Sequence, residues 1–378
     1  VSSIKITEAR TLSQHSRFYR LPYRLYRSDP NWVPPLLGEM RQLLYPRYNA
    51  LLRLGPHAHL LAWRDGRLVG RLGVGIDQNL NARKERREGY LTLFEAEEDY
   101  AIAEALFDAG ERWLAERGMT AWTGPQSPSN GDDYRGLLVQ GFDSPPVLMN
   151  SYNPPYYQEF FERYGFQKQF DRLAFRIDLS QGEPERFVRL VETVQRRYGF
   201  HVDPVDLKRI HEEFADLKVV CDRSWPEEWP DMIPPTMEEI QAEADRLLPL
   251  VESDLVNIAR TDDGRPIGFS VTLPDYNQVL KKLNGRLFPF GWLIFLRERR
   301  KVDAGRIFIL MVDQEWHRKG VSAALYHANY QAALRRGWKW GEGGTVHEFN
   351  RKMVQDAEGA GGQLYKVYRI YRKEVAST

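Results

Sequence analysis

The stretch RIFILMV, Arg306 to Val312, runs directly into DQEWHRKGVSAALYHANYQAALRRG, Asp313 to Gly337, and the junction between the two decides how the chain is read. The first segment is an apolar run of strand length, and the second has helical spacing beyond its glycine. A buried strand therefore feeds a glycine-bearing turn and then a helix. The first amides of such a helix have no partner within it, and the positive end of its dipole points outward, so the junction suits an anion such as a pyrophosphate. Gly320 lets the backbone approach closely, Arg318 and Lys319 add positive charge, and Ser322, Ala323 and Ala324 keep the approach open. The competing reading is an ordinary strand-turn-helix with no ligand.

Working outward, the chain states one pattern twice. HLLAWRDGRLVGRLGVG, His59 to Gly75, reads as two strands joined at Asp65-Gly66, and VNIARTDDGRPIGFSV, Val256 to Val271, repeats it with Asp263-Gly264 at the turn. A helical pattern from Ala105-Leu106 closes at Gly118, and another from Ala324-Leu325 closes at Gly337. Ile102, Ala105, Leu106, Ala109, Trp113 and Leu114 give the first of these an apolar stripe for a sheet. Each half then runs through a strand into a Gly-ended helix and a last strand: Tyr156 to Phe166 then Leu173 to Leu179, and Asn350 to Gly362 then Val367 to Lys373. The fold class that follows is α/β with a mixed sheet, built as two copies of one unit. Residues 1–179 form the first, 254–378 the second, and 180–253 a connector with a helix from Glu185 to Tyr198. The connector also holds SWPEEWPDMIPP, which its prolines exclude from regular structure and whose Trp225 and Trp229 favour packing across the seam over a flexible tether.

Composition narrows the function classes. Among 378 residues, 53 basic and 52 acidic side chains leave a net charge of +1, and no long basic tract beyond Arg297 to Lys301 points to nucleic acid. The single Cys221 makes no internal disulfide and no thiolate cage, which fits a cytoplasmic protein. No stretch approaches the roughly 20 apolar residues of a membrane span, and VSSIKITEAR at the amino end has no signal-peptide core. His57 and His59 alternate on a strand without a third ligand, so no metal is expected. Gly73 and Gly75 begin a dinucleotide-like pattern, but no helix opens after Asp77, Gln78 and Asn79.

The junction resembles motif A of the GNAT superfamily of acyl-CoA-dependent N-acyltransferases, whose loop reads Gln or Arg, two residues, Gly, one residue, then Gly or Ala. His317, Gly320 and Ser322 occupy the three defining positions, with Arg318, Lys319, Val321 and Ala323 around them. In that family the preceding strand pairs with the pantetheine arm, a place that Leu310, Met311 and Val312 match, and an Asn follows the next strand, as Asn350 does. FDAGERWLAERGM, GFDSPPVLMNSYNPPYY, LNGRLFPFGW and YKVYRIYRK make the whole chain similar to a group of bacterial double-GNAT proteins, some resembling enzymes that N-acylate long-chain amino alcohols in ceramide formation. The resemblance implies a tandem pseudo-symmetric GNAT fold, acyl-CoA as co-substrate, and a small-molecule or lipidic amine as acceptor.

The first half lacks the loop. Its equivalent reads LTLFEAEEDYAIAEAL, where Glu95, Glu97, Glu98 and Asp99 would repel a pyrophosphate, so a single CoA site is expected, while the polar loop Gly124 to Gly136 faces the acceptor or the other half.

Acyl transfer to nitrogen needs a base for the ammonium, a donor for the thioester oxygen and a proton for the thiolate. The Tyr that supplies this proton in many GNAT enzymes corresponds to Ala357, and to Phe160 or Phe161 in the first half. Tyr365 and Tyr368 lie nearby, and Tyr365 is the chosen substitute. Glu342, on the strand from Trp338 to Val346, is the first choice of base, with a structural salt bridge as the alternative role; His347 is second.

LFPFGWLIFLRERRK, Leu287 to Lys301, reads first as a helix packed over the sheet with a solvated basic end, and second as a membrane-surface helix or the lining of an acyl-chain opening. Two further functions stay open at this stage. One is a non-catalytic acyl-CoA sensor or scaffold, suggested by the missing Tyr and altered loop. The other is a peptide or protein N-acetyltransferase, for which the acidic residues Glu95 to Asp99 would line a groove.

Overall fold

The computed structural model describes residues 3–129, 131–225, 229–230 and 232–376. Its first half runs β1 (Lys5–Glu8), α1 (Leu12–Leu25), α2 (Leu37–Gln42), β2 (His57–Arg64), β3 (Arg67–Gly75), α3 (Gln78–Arg83), β4 (Glu88–Ala96), α4 (Tyr100–Ala115), β5 (Ala121–Gly124), β6 (Leu137–Gln140), α5 (Tyr156–Arg163) and β7 (Gln167–Asp178). Helix α6 (Glu185–Tyr198) leads into the second half. That half runs β8 (Phe200–Pro204), α7 (Ile210–Ser224), α8 (Met237–Leu247), β9 (Val256–Thr261), β10 (Pro266–Pro274), α9 (Asn277–Leu283), α10 (Gly291–Glu298), β11 (Ala304–Val312), α11 (Val321–Arg335), β12 (Trp340–His347), α12 (Arg351–Gly359) and β13 (Gln363–Glu374).

The duplication is longer than the sequence reading gave. Both halves open with a strand and two helices before the hairpin, so most of the expected connector belongs to the second unit. Strand β8 pairs antiparallel with β9, from Phe200 opposite Thr261 to Pro204 opposite Asn257. FHVDP is a short edge strand with one buried residue, which leaves no alternation for a sequence reading to find. Of the Pro/Trp-rich stretch, residues 226–228 and 231 lie outside the described part. Trp225 is buried beside Trp229, at 5.7 Å between ring centroids, and the Trp229 ring lies nearly parallel to His347.

The thirteen strands of the described residues join one mixed sheet in the order β1-β2-β3-β4-β5-β13-β7-β12-β11-β10-β9-β8, with β6 also on β13. The halves exchange their last strands. β13 closes the second half in sequence but pairs with β5 of the first, from Tyr371 opposite Gly124 to Glu374 opposite Ala121. β7 closes the first half and pairs with β12 of the second, from Trp340 opposite Asp178 to His347 opposite Arg172. The exchanged strands then pair with each other from Gln363 opposite Arg176 to Arg372 opposite Gln167. Each half contributes its own aromatic and aliphatic core: Phe94, Phe107, Phe161 and Trp122 under α4, and Phe269, Val271, Tyr276 and Phe308 on the second sheet.

The parallel pairs are short. β11 meets β12 only from Ala304 opposite Trp340 to Ile307 opposite Gly343, and β4 meets β5 only from Glu88 to Tyr90. Beyond those residues the strands splay and leave an unpaired backbone edge inside each half.

The run Leu287 to Lys301 departs from its packed reading. Leu287 and Phe295 reach the core, whereas Phe288, Phe290, Trp292, Leu293, Ile294 and Leu296 are exposed. An unbroken apolar run has no polar positions to mark which side faces out.

The strand exchange predicts that a protease site inserted between Gln181 and Gly182 in the exposed turn before α6 yields a nicked protein that still elutes as one particle in gel filtration. Two separately eluting fragments would refute the exchange.

Candidate active site

The loop at the end of β11 is held in shape by its own side chains. Asp313 accepts the amide of Glu315 at 3.0 Å and the guanidinium of Arg265 at 2.9 Å, closing a single turn over Gln314 to Trp316. His317 Nε2 lies 3.1 Å from the carbonyl oxygen of Val312. Gly320 then takes φ +83°, and a Cβ there would come within 2.6 Å of Val194 on α6, so both backbone angle and space require glycine. The first amide to donate into the α11 ladder is that of Ala324, to Gly320 at 3.0 Å. The amides of Val321, Ser322 and Ala323 are therefore the open ones at the positive end of the helix.

These amides border a cavity of about 1260 Å³. Leu310, Met311, Val312, His317, Arg318, Val321, Ser322 and Ala323 line it, as do Asn350, Glu342 and His347. Lys319 does not: its ammonium sits 4.5 Å over the Trp316 ring. Asn350 caps α12, accepting the Met353 amide at 3.2 Å. Ala357 borders the cavity too, where a Tyr side chain would have filled part of the space. Past the splay between β11 and β12 the cavity continues between the sheet and helices α7 and α8, against Val205, Phe214, Leu217, Phe269, Val271 and Ile240. That chamber is mostly apolar, with Glu243 and Arg246 of α8 at its border, and no sequence pattern announced it.

Glu342 borders the cavity and is held by three side chains. Arg306 on the neighbouring strand places Nε 3.3 Å from its Oε1, with both side chains fully buried. Asn150, from the first half, donates to its two oxygens at 2.9 and 3.1 Å, and the Tyr365 hydroxyl donates to Oε2. Burial nevertheless outweighs Arg306, Tyr365 and Asn150 and raises the carboxyl above its ordinary range. Tyr365 stands behind Glu342 and does not border the cavity; burial and the adjacent carboxylate push its phenol well up. His347 is stacked on Phe170 at 4.2 Å between ring centroids.

Arg306, Asn150, Asp275 and Lys366 complete the surroundings, and the sequence singled out none of them. Arg306 donates to the carbonyls of Gly344 at 2.9 Å and Leu148 at 3.1 Å, and Asp275 accepts the Leu148 amide at 2.9 Å. Lys366 donates to the carbonyls of Gly141 and Ser144, anchoring the segment that carries Asn150; burial lowers its ammonium to about 8. Asn150 and Arg306 are separated from Glu342 by long stretches of chain, and only strand register brings them together. Among the described residues, the hydroxyl of Thr272 in the same buried region has no hydrogen-bond partner.

The first half closes the equivalent space. Only Glu97 to Asp99 separate β4 from α4, against Asp313 to Gly320 in the second half. Tyr157 receives the Ala96 amide at 2.7 Å, and Tyr156 donates to the Ala96 carbonyl at 3.0 Å, so α5 occupies the splayed edge. Phe160 and Phe161 are core residues beneath it. The acidic residues expected to line a peptide groove are largely consumed: Glu95 is buried with Arg71, Tyr26 and Tyr157, Glu97 pairs with Arg24 and Arg67, and Asp99 pairs with Arg64.

No family model matches the chain. It is 32% identical over 379 residues to the bacterial ceramide synthase of Caulobacter vibrioides, covering 98% of both chains. It is 31% identical over 370 residues to protein YghO of Escherichia coli, covering 95% of this chain and 92% of that one. Among solved structures, a tandem GNAT protein from the clavulanic acid biosynthesis pathway superposes with a TM-score of 0.61 at 10% identity, covering 100% of both chains. A GCN5-related N-acetyltransferase from Sphaerobacter thermophilus gives 0.54 at 14% identity, covering 98% of this chain and 96% of that one.

Asp275 supplies a stability prediction. Burial, reinforced by the Glu342 charge, raises its carboxyl from 3.8 to about 7. The folded state thus binds this proton more tightly, so the contribution is complete below the ordinary value and is lost as pH rises toward 7, at about 1.4 kcal/mol per pKa unit. Asp275→Asn keeps an acceptor for Leu148 but removes the titration. Urea unfolding should show the variant gaining stability relative to the parent between pH 5 and 8; a constant difference across that range would contradict the assignment.

Proposed function

Because the chain belongs to the tandem GNAT acyltransferase family of these relatives, we propose that it transfers a long-chain acyl group from acyl-CoA to the primary amine of a lipidic amino alcohol. The observation that carries this reading is the apolar chamber beyond Glu342. The cavity exceeds the roughly 300–1,000 Å³ of ordinary small-ligand clefts, and its inner part offers an acetyl group little to fill it.

In this reading Val321, Ser322 and Ala323 offer their amides to the pyrophosphate, with Arg318 beside them, and the unpaired edge from Phe308 to Val312 receives the pantetheine arm. The splay admits the thioester to the level of Glu342. Glu342 takes a proton from the ammonium, and the freed nitrogen attacks the thioester carbonyl carbon. As the C–N bond forms the C–S bond breaks, and the second nitrogen proton passes through Glu342 to the thiolate once the first has left to solvent. Tyr365 and Asn150 hold the carboxylate in place throughout, and its raised affinity for a proton makes it a stronger base than an ordinary carboxylate. Tyr365 reaches the sulfur only through Glu342. His347, on the cavity wall, is the second candidate for proton transfer.

Thiol release from acetyl-, octanoyl- and palmitoyl-CoA with a panel of amines tests the proposal. Turnover should be highest with palmitoyl-CoA and a sphingoid base. Tight CoA binding without turnover of any pair would instead favour an acyl-CoA sensor, and preference for acetyl-CoA with peptides would favour a peptide N-acetyltransferase.

Two substitutions locate the chemistry. Glu342→Gln should lower kcat about 10²- to 10³-fold and leave CoA affinity unchanged. In the parent enzyme, kcat/KM should rise with pH through a midpoint above the ordinary carboxylate range, a limb the variant lacks. Arg318→Glu should weaken CoA binding about tenfold by calorimetry, whereas Lys319→Glu, whose parent ammonium rests on Trp316, should weaken it less; equal effects would displace Arg318 from the anion site.

A further inference from the structure

Of the fifteen large apolar side chains that the described surface exposes most, six lie within the nine residues from Phe288 to Leu296. Phe288 and Phe290 are 74% and 70% exposed, and Trp292, Leu293, Ile294 and Leu296 present the outer arc of α10 to solvent. An apolar cluster this dense on a surface marks a contact. Helix α10 is anchored: Phe295 packs against Tyr276 with ring centroids 5.2 Å apart and planes tilted by 53°, and Leu287 and Phe295 rest on the cluster that contains Phe269, Val271, Ile309 and Met311. The patch therefore sits on the outside of the same apolar mass whose inside walls the substrate chamber.

The charges beside it have one sign. Arg297, Arg299, Arg300 and Lys301 face Glu298 alone within Leu287 to Lys301, while the whole chain carries a net charge of +1. Glu298 is already engaged, accepting Lys282 at 2.6 Å and Lys301 at 2.8 Å, and the two ammonium groups hold its carboxyl down at about 2. Arg286, Arg299 and Arg300 are exposed and hold no ion pair among the described residues.

We propose that Leu287 to Lys301 docks the protein on the surface of an anionic phospholipid bilayer, with the aromatic and aliphatic side chains in the acyl boundary and the arginines against headgroup phosphates. A second copy of the chain would bury the apolar residues but would bring the two cationic clusters together, so charge favours the lipid. At eight residues α10 lies in the interface and does not cross it. Docking needs no particular chemistry in the cavity and stands apart from the acyl-transfer reading; its consequence for that reading is that a lipidic substrate would reach the enzyme from the bilayer.

Vesicle flotation of the full chain tests this without reference to turnover. The protein should float with vesicles of phosphatidylcholine containing about one-third phosphatidylglycerol, bind pure phosphatidylcholine at least about tenfold more weakly, and release in 0.5 M salt. The variant F288S/F290S/W292S should lose at least tenfold in partitioning. R299E/R300E should lose about fivefold or more per residue, following the ~1 kcal/mol each basic residue contributes near an anionic surface. Thermal unfolding of both should match the parent, since the altered side chains are exposed. Equal flotation of parent and variants, or none with anionic vesicles, would overturn the proposal. So would a dimer in analytical ultracentrifugation that either variant dissolves, because the face would then belong to a second copy.

Discussion

The exchange of β7 and β13 is the constraint on which the rest of the molecule depends. Each half of the sheet is completed by the other half's last strand, so neither half satisfies the backbone groups at its inner edge alone. The exchanged strand β7 sets Arg176 opposite Glu342 on one side, while β11 of the same half sets Arg306 opposite it on the other. Tyr365 comes from β13, Asn150 from the segment before α5, and Lys366 ties that segment to β13. The buried carboxylate is thus assembled from both halves, and removing any one of these supports changes its solvation.

Duplication followed by divergence is visible in one geometric difference. Both halves splay their parallel strand pair, and the splay creates an edge whose amides and carbonyls need partners. The first half supplies them from its own Tyr156 and Tyr157 and shortens the link from β4 to α4. The second half leaves the edge open and lengthens the link into a loop with a left-handed glycine. Closing the first splay fills its core with aromatic rings, Phe94 stacked on Phe107 at 4.9 Å among them, and gives the molecule a rigid side against which the open one is set.

Local features were legible in the sequence because local physics determines them. The hairpin at Asp65-Gly66 shows it, since both residues take the positive φ that a tight turn requires. The β11 to α11 junction was legible for the same reason, as were helices whose apolar period matched 3.6. What escaped depends on partners distant in sequence. Arg306 begins the very strand that decided the fold, yet a lone arginine in RIFILMV gives no hint of a carboxylate on β12. Asn150 and Asp275 gain meaning only once register is known. Strand β8 was lost because five mostly exposed edge residues carry no period, and α10 was misread because an unbroken apolar run carries no face. The absence of the usual Tyr at Ala357 was legible, but not its consequence, which is that the space there belongs to the cavity.

The electrostatics of Glu342 tie these levels together. A carboxylate removed from water beside a single guanidinium is not stabilised outright, because desolvation offsets much of the attraction even with hydrogen bonds added. Here the balance tips toward a proton. Were Arg306 free to turn all its donors on Glu342, the carboxyl would hold its proton less tightly. Instead Arg306 gives Nε jointly to Glu342 and Gly344 and Nη1 to Leu148, while Nη2 has no partner among the described residues. The guanidinium thereby ties β12 to the segment before α5 while leaving the carboxyl with a raised proton affinity. Structural rigidity and proton affinity at Glu342 therefore have one origin, the sharing of a single buried arginine between a carboxylate and the backbone around it.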